Sequence, residues 1–441
     1  MFKILAPLTV VLILSQMAVA QFAKGQTSHF NPIIEPLRQG EMFGILPDPD
    51  WNRDFQNKFS TVRIKVFPHN SKYNAPQGKD TVIDSLKISS AGDCKVYKSA
   101  SDTSADPISR DTVLQSGKSF NFDTKTFSNS VWIECSAPIE ITRPDFSSNP
   151  LKYDGLIFLK EAGPATARYL TAVNVLPFES YLKGVVPSEM PASWAFDALK
   201  AQAIAARSYA YHELGTEVFR DDSNLALEQS GAQIDDTVTY QAYLGLKNGT
   251  PATNKAIDDT AGKVMVYNGQ VIKAYFHADS GGYTENAENV WGVAYPYILA
   301  KEELYPEGSI PGTQWSYTPS FNEVETKLST NNFIKPGQNV INLKVASTDI
   351  FPSGRPEFVT IVFDDKTEKK ILAVDFAFAM RIKSQWVRFS DIKPNAITII
   401  GRGFGHGAGM NQWGARVMVD KLGKNFEEIL KFYYTGIQIT E

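Results

Sequence analysis

The sequence predicts an α+β protein: a mixed, β-rich domain with an alanine-rich central helix, preceded by a smaller β-rich N-terminal region. Two observations predict this class. Short runs of β-branched and aromatic residues, separated by turn residues, recur from Ser60 onward and are typical of strands. One segment, 191–211, is built largely of alanine, the residue with the highest helix propensity.

The first 20 residues are predicted to be a secretory signal peptide. Lys3 supplies a positive start, residues 4–14 form an apolar run, and residues 18–20 form a small-residue cleavage site. The apolar run is shorter than the ~20 residues that a membrane-spanning helix needs. We therefore expect an exported protein of the periplasm or cell-wall space, without a stable membrane span.

Three further regions are expected along the chain. Residues 21–58 are an irregular lead-in rich in Pro, Gly, Asn and Asp, and residues 59–150 form the small β-rich region. Residues 151–441 form the larger region, with a β-rich insertion near 301–395. Within the larger region, Asn268-Gly269 indicates the turn of a hairpin, because this dipeptide favours two-residue hairpin loops.

Composition excludes several classes of function. The formal net charge is −4 and no block of Lys and Arg runs along the chain, so no nucleic-acid partner is expected. Neither a zinc-ligand spacing nor a Gly-x-Ser-x-Gly segment is present, which disfavours a zinc enzyme and a serine hydrolase. The sequence therefore predicts no cofactor and no metal.

Cys94 and Cys135 are the only two cysteines, and both lie in strand-like runs. Two cysteines in an oxidising, exported compartment more often pair than stay free. We expect one disulfide that joins two strands.

Glu189 stands between Pro187 and Pro191, and we predict a rigid loop there, directly ahead of the alanine-rich helix. The carboxylate could simply complement the positive end of that helix, which is worth ~0.3–1 kcal/mol. Alternatively, Met190 and Trp194 could bury it, which would raise its pKa and make it a general acid near neutral pH. Because burial can outweigh a helix end, the second interpretation predicts a catalytic Glu189.

The helix itself carries three polar candidates, Lys200, Gln202 and Arg207. Lys200 and Arg207 are seven residues apart and so fall on one helix face. They could be paired, solvated or part of a polar cleft. Gln202 needs a hydrogen-bond partner if it is buried.

A second candidate segment, "FHADSGGYTENAENVWG", follows a predicted strand and contains His277, Ser280, Gly281, Tyr283 and Trp291. Polar groups and glycines at a strand end are typical of a binding rim. His277 could equally be a structural residue that only makes hydrogen bonds.

A third segment, "GRGFGHGAGMNQWGA", contains His406, Gln412 and Trp413, and its glycines require tight turns or close contacts. His406 could be catalytic or structural. Aromatic faces interleaved with neutral polar groups suit a hydroxyl-rich, weakly charged polymer such as a sugar chain.

These segments resemble the stage II sporulation protein D family of peptidoglycan lytic transglycosylases, whose relatives include amidase enhancers. The resemblance rests on "YLKGVVPSEMPASWAFDALKAQAIAARSYA", "AGKVMVYNGQVIKAYFHADSGGYTENAENVWG", "SGRPEFVTIV" and "GRGFGHGAGMNQWGARVM" with "YYTG", which occur in the family's order across 175–437. Some members carry a Cys/His zinc site between the helix and the hairpin, but residues 216–255 contain neither residue type.

The resemblance implies cleavage of the glycan backbone between N-acetylmuramic acid and N-acetylglucosamine, with 1,6-anhydro-muramic acid as the product end. Glu189 matches the family's catalytic glutamate, and the other candidates would bind substrate. Peptidoglycan strands stripped of stem peptides are the implied substrate, and a wall amidase is an implied partner. Two alternatives stay open: a non-catalytic, glycan-binding amidase enhancer, and a hydrolase in which Asp279 or Glu285 assists Glu189.

Overall fold

A computed structural model describes residues 61–67, 85–98, 109–114, 116–124, 130–142, 150–162, 168–215, 231–236, 240–305 and 308–440. The predicted signal peptide and lead-in lie outside these residues, as do residues 216–230 and 237–239. The described chain contains both helices and several sheets, which confirms the α+β class. None of its helices is long and apolar enough to cross a membrane.

The chain divides into two compact units. The amino-terminal unit comprises the described residues up to Ser193 together with Ala206–Lys263. The carboxyl-terminal unit comprises Trp194–Ala205 and the described residues from Val264 onward.

The strands of the amino-terminal unit are β1 (Thr61–Phe67), β2 (Ser85–Ser90), β3 (Cys94–Lys98), β4 (Ser109–Leu114), β5 (Ser119–Asp123), β6 (Ser130–Cys135), β7 (Ile139–Thr142), β8 (Leu151–Tyr153), β9 (Leu156–Ala162), β10 (Tyr169–Pro177) and β11 (Ile234–Asp235). Its helices are α1 (Phe178–Glu189) and α3 (Pro251–Asp258). Helix α2 (Phe196–Gly215) contributes residues to both units.

The described strands of this unit form two sheets, in the orders β11-β1-β10-β9-β6-β3-β4 and β5-β2-β7-β8. Strand β2 alternates exposed and buried residues, as expected of a strand with one face on the core, whereas β6 and β10 are buried along most of their length. Strand β6 pairs with β9, so one sheet runs across the boundary that the sequence predicts at residue 150. The domain boundaries drawn from the sequence remain predictions.

The carboxyl-terminal unit contains the strands β12 (Val264–Tyr267), β13 (Gln270–Val271), β14 (Phe276–His277), β15 (Gln314–Tyr317), β16 (Val340–Lys344), β17 (Phe358–Phe363), β18 (Glu368–Leu372), β19 (Val387–Lys393), β20 (Ala396–Arg402), β21 (Met410–Asn411) and β22 (Gln438–Thr440). Its further helices are α4 (Ala287–Trp291), α5 (Phe321–Thr330), α6 (Ala373–Met380), α7 (Gln412–Leu422) and α8 (Phe426–Tyr433).

Four small sheets occur in this unit, with the orders β13-β12-β22, β14-β21, β15-β20-β19 and β16-β17-β18. Residues 321–399, within the predicted insertion and just beyond it, share one hydrophobic core centred on Val324, Ile361 and Phe376. Strands β12 and β13 form the predicted hairpin, and both turn residues have positive φ, 51° at Asn268 and 77° at Gly269.

The disulfide between Cys94 and Cys135 is confirmed. The two residues lie directly opposite each other on β3 and β6, with their Cα atoms 4.0 Å apart. The bond therefore closes a loop across two neighbouring strands.

Replacing both cysteines by alanine is expected to lower the free energy of unfolding by about 3–4 kcal/mol, because the open chain gains loop entropy when it unfolds. Urea unfolding of the variant and of the wild type, with and without reductant, measures the difference. Reduced wild type should match the variant. Two titratable thiols in the non-reduced wild type would contradict the account.

Candidate functional site

The predicted loop around Glu189 is wrong: Glu189 is the last residue of helix α1, and Met190 caps this helix in an extended conformation. The helix tolerates Pro187 in its last turn because its buried face packs tightly; Val185 and Val186 are both 0% exposed. Glu189 therefore lies at the negative, carboxyl end of a helix. The electrostatic effect of this helix end on a carboxylate is unfavourable, whereas the sequence predicts a favourable one from the start of the next helix.

Glu189 is buried, with 6% of its surface exposed. Its Oε1 accepts a hydrogen bond from the backbone N–H of Ala242 at 2.8 Å. The neighbouring Met190 is 1% exposed and belongs to the same unit. Trp194 belongs to the carboxyl-terminal unit, where its ring lies 4.6 Å from that of Trp413.

Arg207 is fully buried in the amino-terminal unit and its guanidinium is bound on several sides. It donates to both carboxylate oxygens of Glu179 at 2.8 Å. It also donates to the carbonyl oxygens of Lys263 at 3.1 Å and Ile257 at 3.3 Å. These contacts tie α1 and α2 to the segment that contains α3, so Arg207 organises the unit that carries Glu189.

Lys200 and Gln202 both fall in the carboxyl-terminal unit. The Lys200 ammonium lies over the rings of Phe196 at 4.7 Å and Phe426 at 5.6 Å. Gln202 is fully buried, and its Oε1 accepts a hydrogen bond from Nε2 of Gln412 at 3.3 Å. Two of the predicted site residues, Gln202 and Gln412, are thus brought together although they are 210 positions apart.

A buried carboxylate that the sequence analysis missed, Glu303, organises the second candidate segment. It accepts hydrogen bonds from Asn411 at 2.9 Å and 3.0 Å, from the hydroxyl of Tyr433 at 2.7 Å, and from the hydroxyls of Ser280 and Tyr305. Burial raises the pKa of Glu303, while these four donors oppose that shift. The predicted residue Ser280 is therefore fixed through its own side chain. We call these five residues the Glu303 cluster.

Arg355 balances the negative charge in the same region. It is 2% exposed, and it donates to the carbonyl oxygens of Tyr283 at 2.7 Å and Ser280 at 2.6 Å. Burial lowers its pKa to about 10, while the charges of Glu285, Glu303 and Asp279 act to raise it. The buried guanidinium thus holds the backbone of the candidate segment in place.

A cavity of about 380 Å³ opens beside this cluster, and its lining includes Gly281, Tyr283, Tyr305, Trp386 and Arg402. A Cβ atom at Gly281, where φ is +79°, would lie 2.9 Å from the ring of Trp386. Only glycine allows the backbone to pass this close to the ring. The cavity brings the predicted residues Gly281 and Tyr283 together with Trp386 and Arg402, which the sequence analysis missed.

His277, the last residue of strand β14, and His406, in the glycine-rich segment, are both buried, and their rings are in contact. His277 Nδ1 lies 3.1 Å from the carbonyl oxygen of Ala408, and His406 Nε2 lies 2.9 Å from that of Phe276. Because a carbonyl oxygen only accepts, both of these ring nitrogens carry a proton. His406 Nδ1 in turn accepts the N–H of Ala408, and the ring of Trp291 lies 4.8 Å from the ring of His406. For both histidines, these contacts favour a structural role in hydrogen bonding over a catalytic one.

Burial lowers the pKa of His277 well below its ordinary value and that of His406 to about 3. Both are therefore neutral when folded at pH 7 and take up protons on unfolding in acid. Their contribution to stability is complete above the unfolded pKa of about 6.5 and is lost as pH falls. Asp279 and Glu303, whose pKa values burial raises, act in the opposite direction at the acid end.

We expect His406→Gln to flatten the pH dependence of unfolding between pH 6 and 4.5 by about 1.4 kcal/mol per pH unit. Glutamine keeps a donor for the carbonyl of Phe276 but does not titrate. Urea unfolding of variant and wild type across this range gives the two slopes. Equal slopes would show that His406 is not buried as a neutral group.

The chain is thus an α+β protein whose amino-terminal unit holds a buried carboxylate at a helix end and whose carboxyl-terminal unit holds a cavity lined by polar and aromatic residues. Residues 166–267, which include Glu189, Lys200, Gln202 and Arg207, match the family model described as stage II sporulation protein. Among the described residues, no group of three or more His, Cys, Asp or Glu could hold a metal ion.

Curated relatives extend this match. Stage II sporulation protein D of Bacillus subtilis is 34% identical over 326 residues, covering 70% of this chain and 88% of that protein. An uncharacterised protein of Brachyspira hyodysenteriae is 35% identical over 303 residues, covering 68% of this chain and 75% of that protein. The amidase enhancer of Bacillus subtilis is 30% identical over 305 residues, covering 59% of this chain and 40% of that protein. The chain belongs to the stage II sporulation protein D family.

Proposed function

We propose that the protein is an exported peptidoglycan lytic transglycosylase. It cleaves the bond between N-acetylmuramic acid and N-acetylglucosamine in peptide-stripped strands and leaves a 1,6-anhydro-muramic end. The observation that carries the proposal is Glu189, a buried carboxyl held at a helix end by the N–H of Ala242. The match of this region to the family, and the names of the Bacillus subtilis relatives, support a role at the cell wall.

In the proposed reaction Glu189 acts twice. The protonated carboxyl first gives its proton to the glycosidic oxygen, and the bond from that oxygen to C1 breaks. The carboxylate then takes the proton of the sugar's own C6 hydroxyl while this oxygen bonds to C1. The carboxyl is regenerated, no water is consumed, and one carboxyl suffices.

The remaining candidate residues divide into two roles. We assign glycan contact to Gly281 and Tyr283, which line the cavity, and to Trp413, whose ring lies beside that of Trp194. We assign glycan contact to Lys200 as well, whose ammonium lies over the rings of Phe196 and Phe426. The others are positioning residues, each within its own unit. Arg207 organises the amino-terminal unit around Glu189, and the residues that organise the carboxyl-terminal unit are Gln202, His277, Ser280, Trp291, His406 and Gln412.

A second candidate function is a non-catalytic, glycan-binding activator of a wall amidase. It is favoured by the relative named amidase enhancer and by the cavity, which is lined within the carboxyl-terminal unit alone. On this account the cavity binds the glycan and a wall amidase is the partner.

Mass spectrometry of strands incubated with the purified protein distinguishes the candidates. Anhydro ends are the result expected of the transglycosylase, and ordinary reducing ends would indicate a two-carboxyl hydrolase. Strands that are bound but remain intact, together with faster cleavage by an added amidase, would favour the activator.

A further inference from the structure

We propose that the segment from Tyr240 to Tyr243 is a positioning element for Glu189, with Gln241 and Tyr243 as its anchors. The inference rests on the proposed catalytic role of Glu189 and adds the residues that set the direction of its carboxyl group. The link is the hydrogen bond from the N–H of Ala242 to Oε1 of Glu189, at 2.8 Å. A backbone donor can direct a carboxylate only if the backbone itself is held.

Gln241 anchors one side of the donor. Its side chain is 2% exposed, and its Oε1 accepts the hydroxyl of Tyr181 on α1 at 3.1 Å. Its Nε2 donates to the carbonyl oxygen of Ala206 on α2 at 3.1 Å. Both ends of the amide are therefore bound, each to a different helix. Breaking either bond would leave a buried polar group without a partner, which costs free energy. The side chain therefore holds the backbone of Gln241 in place.

Tyr243 anchors the other side. Its hydroxyl donates to Oδ1 of Asn174 on β10 at 2.7 Å, and Asn174 in turn donates to the carbonyl oxygens of Asp154 and Leu156. Its ring packs against α1 at Gly184, where an added Cβ atom would lie 2.4 Å from the ring. The donor at residue 242 is thus held between two buried, hydrogen-bonded side chains.

This arrangement has a chemical consequence for the proton transfers. When Glu189 gives up its proton, the N–H of Ala242 stabilises the carboxylate that forms, because a hydrogen bond to the charged form favours that form. The same contact restricts the carboxyl to one orientation before the reaction, which reduces the cost of reaching the reactive geometry. Loss of the contact should lower kcat rather than weaken glycan binding.

Tyr243→Phe tests the anchor, since it removes one hydroxyl and keeps the ring. We expect kcat to fall by ~10-fold, KM to stay within ~2-fold, and the alkaline limb of the pH–rate profile to move to higher pH. Tyr434→Phe is the matched control, because Tyr434 is equally buried and its hydroxyl also makes a 2.7 Å bond, to the carbonyl oxygen of Tyr275. The control should lose similar thermal stability but keep its kcat and pH profile.

A second variant removes the donor alone. Replacing Ala242 by L-lactic acid converts its amide to an ester and deletes the N–H without changing a side chain. The ionisation midpoint of the Glu189 carboxyl, followed by carbon-13 NMR, should then move to higher pH in step with the pH–rate profile.

The outcomes separate this inference from the proposed function. One result is that the wild type is active and Glu189→Gln inactive while Tyr243→Phe and the ester both keep the wild-type kcat and pH profile. That result would overturn the positioning role alone. An equal loss of kcat in Tyr434→Phe would also overturn it, because the loss would then reflect general destabilisation. Wild type that releases no anhydro product would overturn the proposed function, and the positioning role with it.

Discussion

Glu189→Gln is expected to bind glycan strands but to release almost no anhydro-muramic product, a loss of at least ~10²-fold in kcat. Glutamine keeps the shape of the side chain and can still occupy the position beside Ala242. It cannot transfer a proton, however, so neither half of the proposed reaction proceeds. Release of anhydro-ended fragments over time, measured by mass spectrometry, gives the rate.

The control for this variant is Glu140→Gln in the same unit. Glu140 pairs with Lys152 at 2.8 Å on the surface, so its loss removes a carboxylate without touching a buried contact. We expect its activity and stability to match the wild type, since exposed ion pairs contribute little. Near wild-type digestion by Glu189→Gln would refute the catalytic role of this residue, whatever the family relationship.

Arg355→Met is expected to destabilise the carboxyl-terminal unit by about 3–5 kcal/mol, the usual result of removing one partner from a buried ionic group. Methionine fills much of the space but leaves the charges of Glu303, Asp279 and Glu285 without their buried cation. It also removes the donors that hold the carbonyl oxygens of Ser280 and Tyr283. Urea unfolding with a probe in this unit measures the loss.

Arg388→Met provides the comparison. Arg388 is an exposed arginine of the same unit, and it also donates to a backbone carbonyl, that of Gly354, at 3.0 Å. Its replacement should change the free energy of unfolding by less than ~1 kcal/mol. Similar values for the two variants would show that the buried charge of Arg355 is not what stabilises this region.

Local patterns predicted much of the fold. The Asn268-Gly269 turn is confirmed because both positions need positive φ, which these two residue types accept readily. The cysteine pair is confirmed because two strand-like runs carried the only two thiols. In each case the residues that decide the structure lie close together in the sequence or are unique in it.

The surroundings of Glu189 were not predictable in the same way. Pro187 and Pro191 indicated a loop around Glu189, but helix α1 continues through Pro187 to Glu189 because its buried face packs against the rest of the unit. Tertiary packing overrides local propensity when a face is this deeply buried. The donor from Ala242 is 53 residues away, so no spacing in the sequence announces it.

The Glu303 cluster shows the same limit in the other unit. Glu303 meets Ser280, Asn411 and Tyr433 across 23, 108 and 130 positions. Glu303 follows an exposed Glu302 in a polar stretch, and nothing in that stretch distinguishes a buried carboxylate from a solvated one. Arg355 lies in "SGRPEFVTIV", one of the segments that resemble the family. Its position in that segment was the one sign in the sequence that it could matter.

Digestion of peptide-stripped glycan strands in water labelled with the heavy oxygen isotope tests the central claim most directly. If Glu189 alone directs attack by the C6 hydroxyl, the new muramic ends are one water lighter than hydrolysed ends and carry no label. New reducing ends that carry the heavy isotope would contradict the account, because water would then be the nucleophile and a second group would have to activate it.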